Sequence, residues 1–296
     1  MPILLLDRVR SQLRAHPSLR SLAWPLIMAA RGLRWIRSPE YRCLLAFERI
    51  FASVEGGSLV VKLPDFAGTF EIGHRSHLLK TILTQGTYEP VLAEATKNFV
   101  NPDRDFIDVG ANIGLFSVLA ASLIASGRRV LAVEPTPGAL HYLYRNISRN
   151  KLDTKIIVFE GVASHVRAPM TINVIPGMEE YSSLRDLVYP NLEQTQPARI
   201  SVAAETLDHL VRQFKLRPGF IKIDAEGSED DVLRGCVETL RDHRPIVIFE
   251  DWPESIMRES GGNPGAASEL LAANGYVIQQ CAPGNLLATP REAPGE

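Results

Sequence analysis

The hydrophobic pattern changes near residue 105. From there, short apolar runs of strand length alternate with segments whose apolar residues recur at helical spacing. "DFIDVG" (105–110) is a run of β-formers interrupted by Asp108. Residues 115–126 follow as a helix, with Leu115, Val118, Leu119 and Ser122 at helical spacing and Gly127 where a C-cap falls. "RRVLAVE" predicts a strand, and "GALHYLYRNISRN" a helix with Leu140, Leu143, Tyr144 and Ile147 on one face. "KIIVFEGVAS", "GFIKID" and "PIVIFE" are further strands, and "EDDVLRGCVETLRDH" reads as one helix between the last two. "GAASELLAANG" is a helix; "GYVIQQ" and "GNLLAT" after it stand too close for a parallel crossover, so they pair antiparallel. Strands alternating with helices predict an α/β fold, a mostly parallel sheet with helices on both faces.

Ahead of this pattern, "GSLVVKLPDFAGTFEIG" (57–73) reads as a small sheet element. "SHLLKTILTQG", opened by Ser76, and "PVLAEATKNFV" read as helices. Between "FEGVAS" and "GFIKID" lies an insertion over 165–205. Its strand-like runs "MTINVI" and "ARISVAAETL" flank a turn-rich middle, and a long loop in this position is expected to be a lid or substrate wall. The chain thus divides into a basic helical leader (1–55), N-terminal substrate- and cofactor-side elements (56–104) and the main domain (105–290).

Composition changes this picture in one place. The 296 residues are 45% hydrophobic and 22% charged, ordinary for a soluble globular protein, and the net charge of −2 gives no global nucleic-acid signal. Residues 1–45, however, hold eight arginines against Asp7 and Glu40, a charge of +6 that leaves −8 for the rest. The apolar patches "ILLL" and "SLAWPLIMAA" fall short of the roughly 20 residues that span a bilayer. Arginines run through and beyond them, unlike a signal peptide. The leader is expected to pack as helices with a solvated arginine face. Peripheral attachment to an anionic membrane is the alternative. Cys43, Cys236 and Cys281 are far apart with no CxxC, which suggests free thiols in the cytoplasm rather than disulfides or a zinc site.

The candidate chemistry begins at the first strand's end. In open α/β sheets ligands sit outside the carboxyl ends of the strands. The turn here is DxGANxG, not GxGxxG. A dinucleotide needs an open helix N-terminus for its pyrophosphate, and a carboxylate at Asp108 opposes that. It suits a cationic ligand bearing an amino group and a sulfonium centre. Glu134, 26 residues beyond Asp108, ends the second strand, where a carboxylate accepts both ribose hydroxyls of a nucleoside. These features point to S-adenosylmethionine rather than NAD.

"DFIDVGANIGLFSVLAA", "VLAVEPTPGALHYLYRNISRN", "TLDHL" and "GFIKIDAEGSEDDVLRGCVETL", ending in "RPIVIFE", together resemble the FkbM family of S-adenosylmethionine-dependent methyltransferases; "GTYEP" (86–90) does too. The resemblance covers roughly residues 68–252. Ala225 stands where valine is common and Cys236 where alanine is usual. The resemblance implies a class I methyltransferase (Rossmann-like) fold, a mostly parallel seven-stranded sheet with an antiparallel terminal strand. It also implies O-methylation of a sugar, glycoconjugate or natural product. By position, Gly110, Asn112 and Gly114 shape the turn around the methionine part of the cofactor, and Asp108 lies near its amino or sulfonium end. Glu134 binds ribose, Val162, Ala163 and Ser164 line the adenine, and Glu89 is a further cofactor-side candidate.

Asp224 and Glu226, at the end of "KIDAEG", are the candidates for the base that takes the hydroxyl proton. The competing reading is that this pair caps the following helix. A divalent cation held by Asp224, Glu226, Glu250 and Asp251 is a further alternative, since sugar hydroxyls have high pKa values. Lys222 shares the Asp224 side of its strand and is expected to pair with a carboxylate. His165 reads as a loop residue or a base, and His74 with His77 as a weak metal pair. Tyr181, Ser182, Ser183 and Arg185 are candidate acceptor contacts. Two other functions compete: an NAD-dependent oxidoreductase, and a non-catalytic adenosine-binding module docked through the leader.

Overall fold

A computed structural model describes residues 57–175, 182–185 and 197–291; the leader, Cys43 and Tyr181 lie outside the described residues. β1 (Ser58–Leu63) and β2 (Gly68–Gly73) form an antiparallel hairpin around a 3-10 turn at Pro64–Phe66. Buried Phe66 meets Phe70 and Phe116 edge-on, which fixes the hairpin to the main fold. α1 (His77–Gln85) opens at Ser76, whose Oγ accepts the Leu78 N–H at 3.1 Å, and stops at Gly86 with φ 79°. α2 (Pro90–Phe99) begins on a proline, whose fixed φ suits the first helical position.

The main domain then runs β3 (Asp105–Val109), α3 (Leu115–Leu123), β4 (Val130–Glu134), α4 (Pro137–Arg149), β5 (Ile156–Ala163), β6 (Met170–Val174) and β7 (Ala198–Glu205). It continues with α5 (Leu207–Gln213), β8 (Pro218–Ile223), α6 (Glu229–Arg234), α7 (Val237–His243), β9 (Ile246–Glu250), α8 (Glu254–Glu259), α9 (Ala266–Ala273), β10 (Tyr276–Ala282) and β11 (Asn285–Pro290). β3 and β4 are buried along their whole length, and Phe106 stacks on Phe220 at 5.1 Å across the central pair. Burial of each such side chain contributes about 1.5–3 kcal/mol, so these strands anchor the sheet.

The sheet order is β10-β11-β9-β8-β3-β4-β5-β7-β6. β3, β4, β5, β8 and β9 are parallel, and β11 runs antiparallel to both neighbours, as the short final connection requires. All seven expected strands are present, but the sheet has nine. The insertion supplies the other two: β7 pairs parallel with Gly161–Ala163, and β6 antiparallel with β7. They cover the β5 edge, whose backbone groups would otherwise lack partners.

Two helices end earlier than their pattern. α3 stops at Leu123 because tertiary bonds claim the next backbone groups: Ala125 N–H donates to the Pro102 carbonyl, and Lys155 Nζ to that of Ile124. The segment 229–243 breaks at Gly235. A Cβ there would lie 2.1 Å from the Ser164 carbonyl oxygen, so the chain passes only as glycine. Asp208 holds the break: its N–H donates to the Gly235 carbonyl, and its carboxylate accepts the Glu238 and Thr239 N–H groups at 3.0 and 2.7 Å. Among the described residues no helix is long and apolar enough to cross a membrane.

Candidate active site

β3 ends at a turn with three consecutive left-handed demands: φ is 73° at Gly110, 48° at Asn112 and 90° at Gly114. Gly110 is fixed by more than φ. A Cβ there would stand 1.9 Å from the backbone oxygen of Asp224, where the ends of β3 and β8 cross. Asn112 N–H donates to Glu134 Oε2 at 2.8 Å, and Glu134 Oε1 accepts the Thr136 N–H and hydroxyl at 2.9 and 2.6 Å. Burial pushes the Glu134 carboxyl up to about 7 against those bonds. A carboxylate offers about four lone-pair sites. Three are taken, so Glu134 keeps one acceptor position open.

This turn lines a cavity of about 280 Å³ together with Glu134, Tyr88, Glu89, Gly161–Ala163, Asp224–Glu226 and Glu250. Three of the expected cofactor residues, Asp108, Gly114 and Ser164, are not among its lining residues. Asp108 is wholly buried and lies among no cavity-lining residues. Its Oδ2 accepts the Ser117 hydroxyl at 2.6 Å while Oδ1 has no partner, and burial raises its pKa against the pull of Lys222. Asp108 stands beside Lys222 across the β3–β8 pair, and its charge acts on that cavity-lining lysine. Ser164 is also buried outside the lining, with its carbonyl packed at Gly235; Val162 and Ala163 do line the cavity. Gly114 shapes the entry to α3 rather than the wall, where a Cβ would meet Leu143 at 2.6 Å.

Glu89 is the other carboxylate expected on the cofactor side. It caps α2 in a left-handed conformation, φ 40° and ψ 54°, which aims it into the chain reversal before Pro90. It lines the cavity, and its Oε2 is buried without a partner. Burial, then the charge of Asp224, pushes its carboxyl up to about 7. Beneath, Lys222 is 4% exposed, with Nζ 3.0 Å from Asp224 Oδ2 and 4.9 Å above the Phe116 ring. Burial opposes its charge, but Asp224, Asp108 and Glu89 outweigh that and hold its pKa above the ordinary value. The expected lysine–carboxylate pairing is therefore present, with Asp224, while the charge of Lys222 also faces Asp108 and Glu89.

The turn after β8 is left-handed at Glu226 and Gly227, φ 48° and 86°. Its donors are satisfied by Glu229, which accepts the Ala225 and Gly227 N–H groups at 3.0 and 3.3 Å; burial pushes that carboxyl up to about 7. The helix that follows has Ser228 at its N-cap and no side-chain capping bond, so neither Asp224 nor Glu226 caps it. Asp224, Glu226 and Glu250 each bring one carboxylate oxygen to within 4.8 Å of the others, while Asp251 stands outside this group. Burial, then the charges of Asp224, Glu226 and Glu229, holds Glu250 well above the ordinary carboxylate range, and Trp252 Nε1 donates to its Oε2 at 2.8 Å. Oxygens alone suit a hard divalent cation, and the same oxygens serve as proton acceptors.

From the insertion, Ile172 and Ser182–Leu184 line the cavity. Ser183 and Arg185 are tethers rather than acceptor contacts: Ser183 Oγ donates to the Glu226 carbonyl at 2.7 Å, and Arg185 donates to the Gly227 carbonyl and, at 3.2 Å, to Asp230. His165 pairs with Asp231 at 3.1 Å outside the cavity. His74 lies 2.9 Å from the Gly57 carbonyl, and the metal-competent group among the described residues includes neither it nor His77. Sequence reasoning missed His77, Tyr88, Phe116 and Asn285 as lining residues. His77 reads only as half of a weak metal pair and Tyr88 only within "GTYEP"; Asn285 carries no local signal, because it arrives through pairing with Glu250 across β11 and β9.

The chain matches the Methyltransferase FkbM domain over residues 108–278. It is 26% identical over 242 residues to the AMB antimetabolite synthetase AmbE of Pseudomonas aeruginosa, which covers 70% of this chain and 11% of that protein. It is 24% identical over 208 residues to methyltransferase sdnD of Sordaria araneosa, covering 62% of this chain and 80% of that one. The crystal structure of methyltransferase FkbM from Methylobacillus flagellatus KT aligns with 73% of this chain and 53% of its own, at 18% identity and a TM-score of 0.43. The chain thus spans about a tenth of the AmbE length and about half of the crystallised chain.

Proposed function

The chain belongs to the FkbM methyltransferase family, and from that premise we propose that it methylates a hydroxyl of a sugar, glycoconjugate or other natural product, using S-adenosylmethionine. One observation carries the reading. The glycine turn with Glu134 and the carboxylates of Asp224, Glu226 and Glu250 line one cavity at the carboxyl ends of the strands.

S-adenosylmethionine, when bound, supplies a methyl group on a positively charged sulfur. Glu89, with its orphaned oxygen, faces the positive charge of such a ligand, and Glu134 receives one ribose hydroxyl. Gly110, Asn112 and Gly114 hold the turn open for the methionine part, and Val162 and Ala163 supply an apolar wall for the adenine. Asp108 acts by keeping Lys222 charged. As the acceptor oxygen gains its methyl group, its proton passes to Asp224 or Glu226. Lys222 Nζ, 3.0 Å from Asp224 Oδ2, fixes the position of that carboxylate.

The oxidoreductase alternative fits poorly, because buried carboxylates stand where a pyrophosphate needs donors. A binding-only module has no use for three crowded carboxylates, which repel one another. Calorimetry with S-adenosylhomocysteine and, separately, NADH tests the reading: binding of the first alone is expected, and binding of NADH alone overturns it. Loss of turnover on chelation, with recovery on adding magnesium, would reassign the trio to a cation. Membrane contact through the basic leader is a separate proposal, tested by liposome flotation with and without residues 1–45; equal flotation removes it.

A further inference from the structure

A second cavity, of about 960 Å³, opens beyond the end of β9, with Asp251, Trp252, Glu254, Arg258, Asn263 and Gly284 among its lining residues. It adjoins the first at two points along the chain. Glu250 lines the first cavity and Asp251 the second; Asn285 lines the first and Gly284 the second. The Asp251 N–H donates to the Gly284 carbonyl at 2.8 Å and stitches this partition together. The Trp252 indole N–H crosses it to reach Glu250 Oε2 at 2.8 Å. One hydrogen bond therefore joins a wall of the outer cleft to the acidic trio.

Size assigns the occupants. Small-molecule sites run to about 300–1,000 Å³, and the inner cavity, at about 280 Å³, is too small for a cofactor and an acceptor together. An acceptor needs room outside it, with a hydroxyl still reaching the trio. Chemistry narrows the acceptor. Arg258 is taken by Glu254, with Nε 2.8 Å from Oε1, so among the described lining residues no unpaired cation awaits an anionic group. Trp252 is partly exposed and offers a flat apolar face. The Asp251 carboxylate and the Asn263 side chain offer hydrogen-bonding groups. Such a surface matches a ring with an apolar face and a hydroxyl-bearing edge.

We propose that this cleft is the acceptor subsite and takes a neutral, hydroxyl-rich ring of the carbohydrate type, laid against Trp252 with one hydroxyl directed to Glu250. The proposal rests on the methyl-transfer reading and deepens it. It moves much of the acceptor recognition from the insertion at 165–205 to the segment 251–265.

The test uses the full chain carrying Trp24→Phe and Trp35→Phe, which leaves Trp252 as the single tryptophan. Its fluorescence is followed during titration with a panel of neutral methyl glycosides, with and without S-adenosylhomocysteine, whose own binding is measured by calorimetry. The expected result is a saturable change with at least one glycoside, weakened about tenfold or more by Asp251→Ala while S-adenosylhomocysteine binding is unchanged; that loss corresponds to about 1.4 kcal/mol. A Trp252 signal unresponsive to every glycoside overturns the subsite, whether or not S-adenosylhomocysteine binds. A response untouched by Asp251→Ala overturns it as well. A glycoside response without S-adenosylhomocysteine binding keeps the subsite and sinks the cofactor reading instead.

Discussion

The two sides of the cavity are built on opposite principles. Around the β3 turn, each carboxylate oxygen of Glu134 is already held by an N–H or a hydroxyl, and Gly110 meets Asp224 backbone to backbone. At the ends of β8 and β9, carboxylates crowd one another, and buried Lys222 pairs with one of them, Asp224, while its charge also faces Asp108 and Glu89. The first side is a preorganised receptacle whose geometry resists change. The second stores unfavourable charge that a cation or a proton relieves. Binding and proton transfer thus ask for different physics, and the fold supplies each at a different strand end.

The sharpest way to break this contrast is at the rigid side. Gly110→Ala is expected to abolish S-adenosylhomocysteine binding in calorimetry, because its Cβ would collide with backbone that cannot turn away. Gly127→Ala is the control: it has a similar φ of 85° but open space around it. It should cost only about 1–2 kcal/mol of stability, the ordinary strain of a left-handed side chain.

On the charged side, Asp224→Asn should lower turnover by about 10²–10⁴-fold, the usual worth of a general base, while S-adenosylhomocysteine still binds. Methyl transfer from labelled S-adenosylmethionine measures it, and unchanged turnover would remove Asp224 as the base. Lys222→Met should destabilise the protein by about 3–5 kcal/mol in urea unfolding, since it leaves buried carboxylates without their cation. Adding Asp108→Asn to that variant should recover part of the loss; no recovery would show that Asp108 and Lys222 are not coupled.

The smallest effect concerns pH. Glu89 has its carboxyl pushed up to about 7 in the free protein, and a positively charged ligand favours its ionised form. Affinity for S-adenosylmethionine, whose sulfonium carries that charge, should therefore level off above about 7 and weaken as pH falls below it. The slope is at most about tenfold per pH unit for one linked proton. Glu89→Gln should flatten the profile, leaving the residual slope of Glu134, also near 7. A profile unchanged by Glu89→Gln would break the assignment.

Much of this architecture was legible from residue order. Alternation of apolar runs with helical stripes carries the parallel core, and the short link between "GYVIQQ" and "GNLLAT" carries its antiparallel end. These are local signals, because strand and helix periods and connection lengths are properties of neighbouring residues. The turn glycines, Glu134, Asp224 and Glu226 were likewise legible, as strand ends are where ligands gather.

What the tertiary structure alone decided is which carboxylates face the ligand. Of the two cofactor-side candidates Asp108 and Glu89, only Glu89 lines the cavity, because a strand buries one side chain while a left-handed cap in a different segment holds the other at the cavity. Glu229, and not Asp224 or Glu226, which are nearer in sequence, satisfies the turn donors of Ala225 and Gly227 for the same reason: backbone donors choose the nearest acceptor in space. The break at Gly235, the extra strands on the β5 edge and the meeting of Glu250 with Asn285 all depend on segments far apart in sequence. The sequence by itself determined the periods, the turns and the stock of charged groups. Burial and charge proximity, which exist only once the chain has closed on itself, decided which of those groups bind and which support.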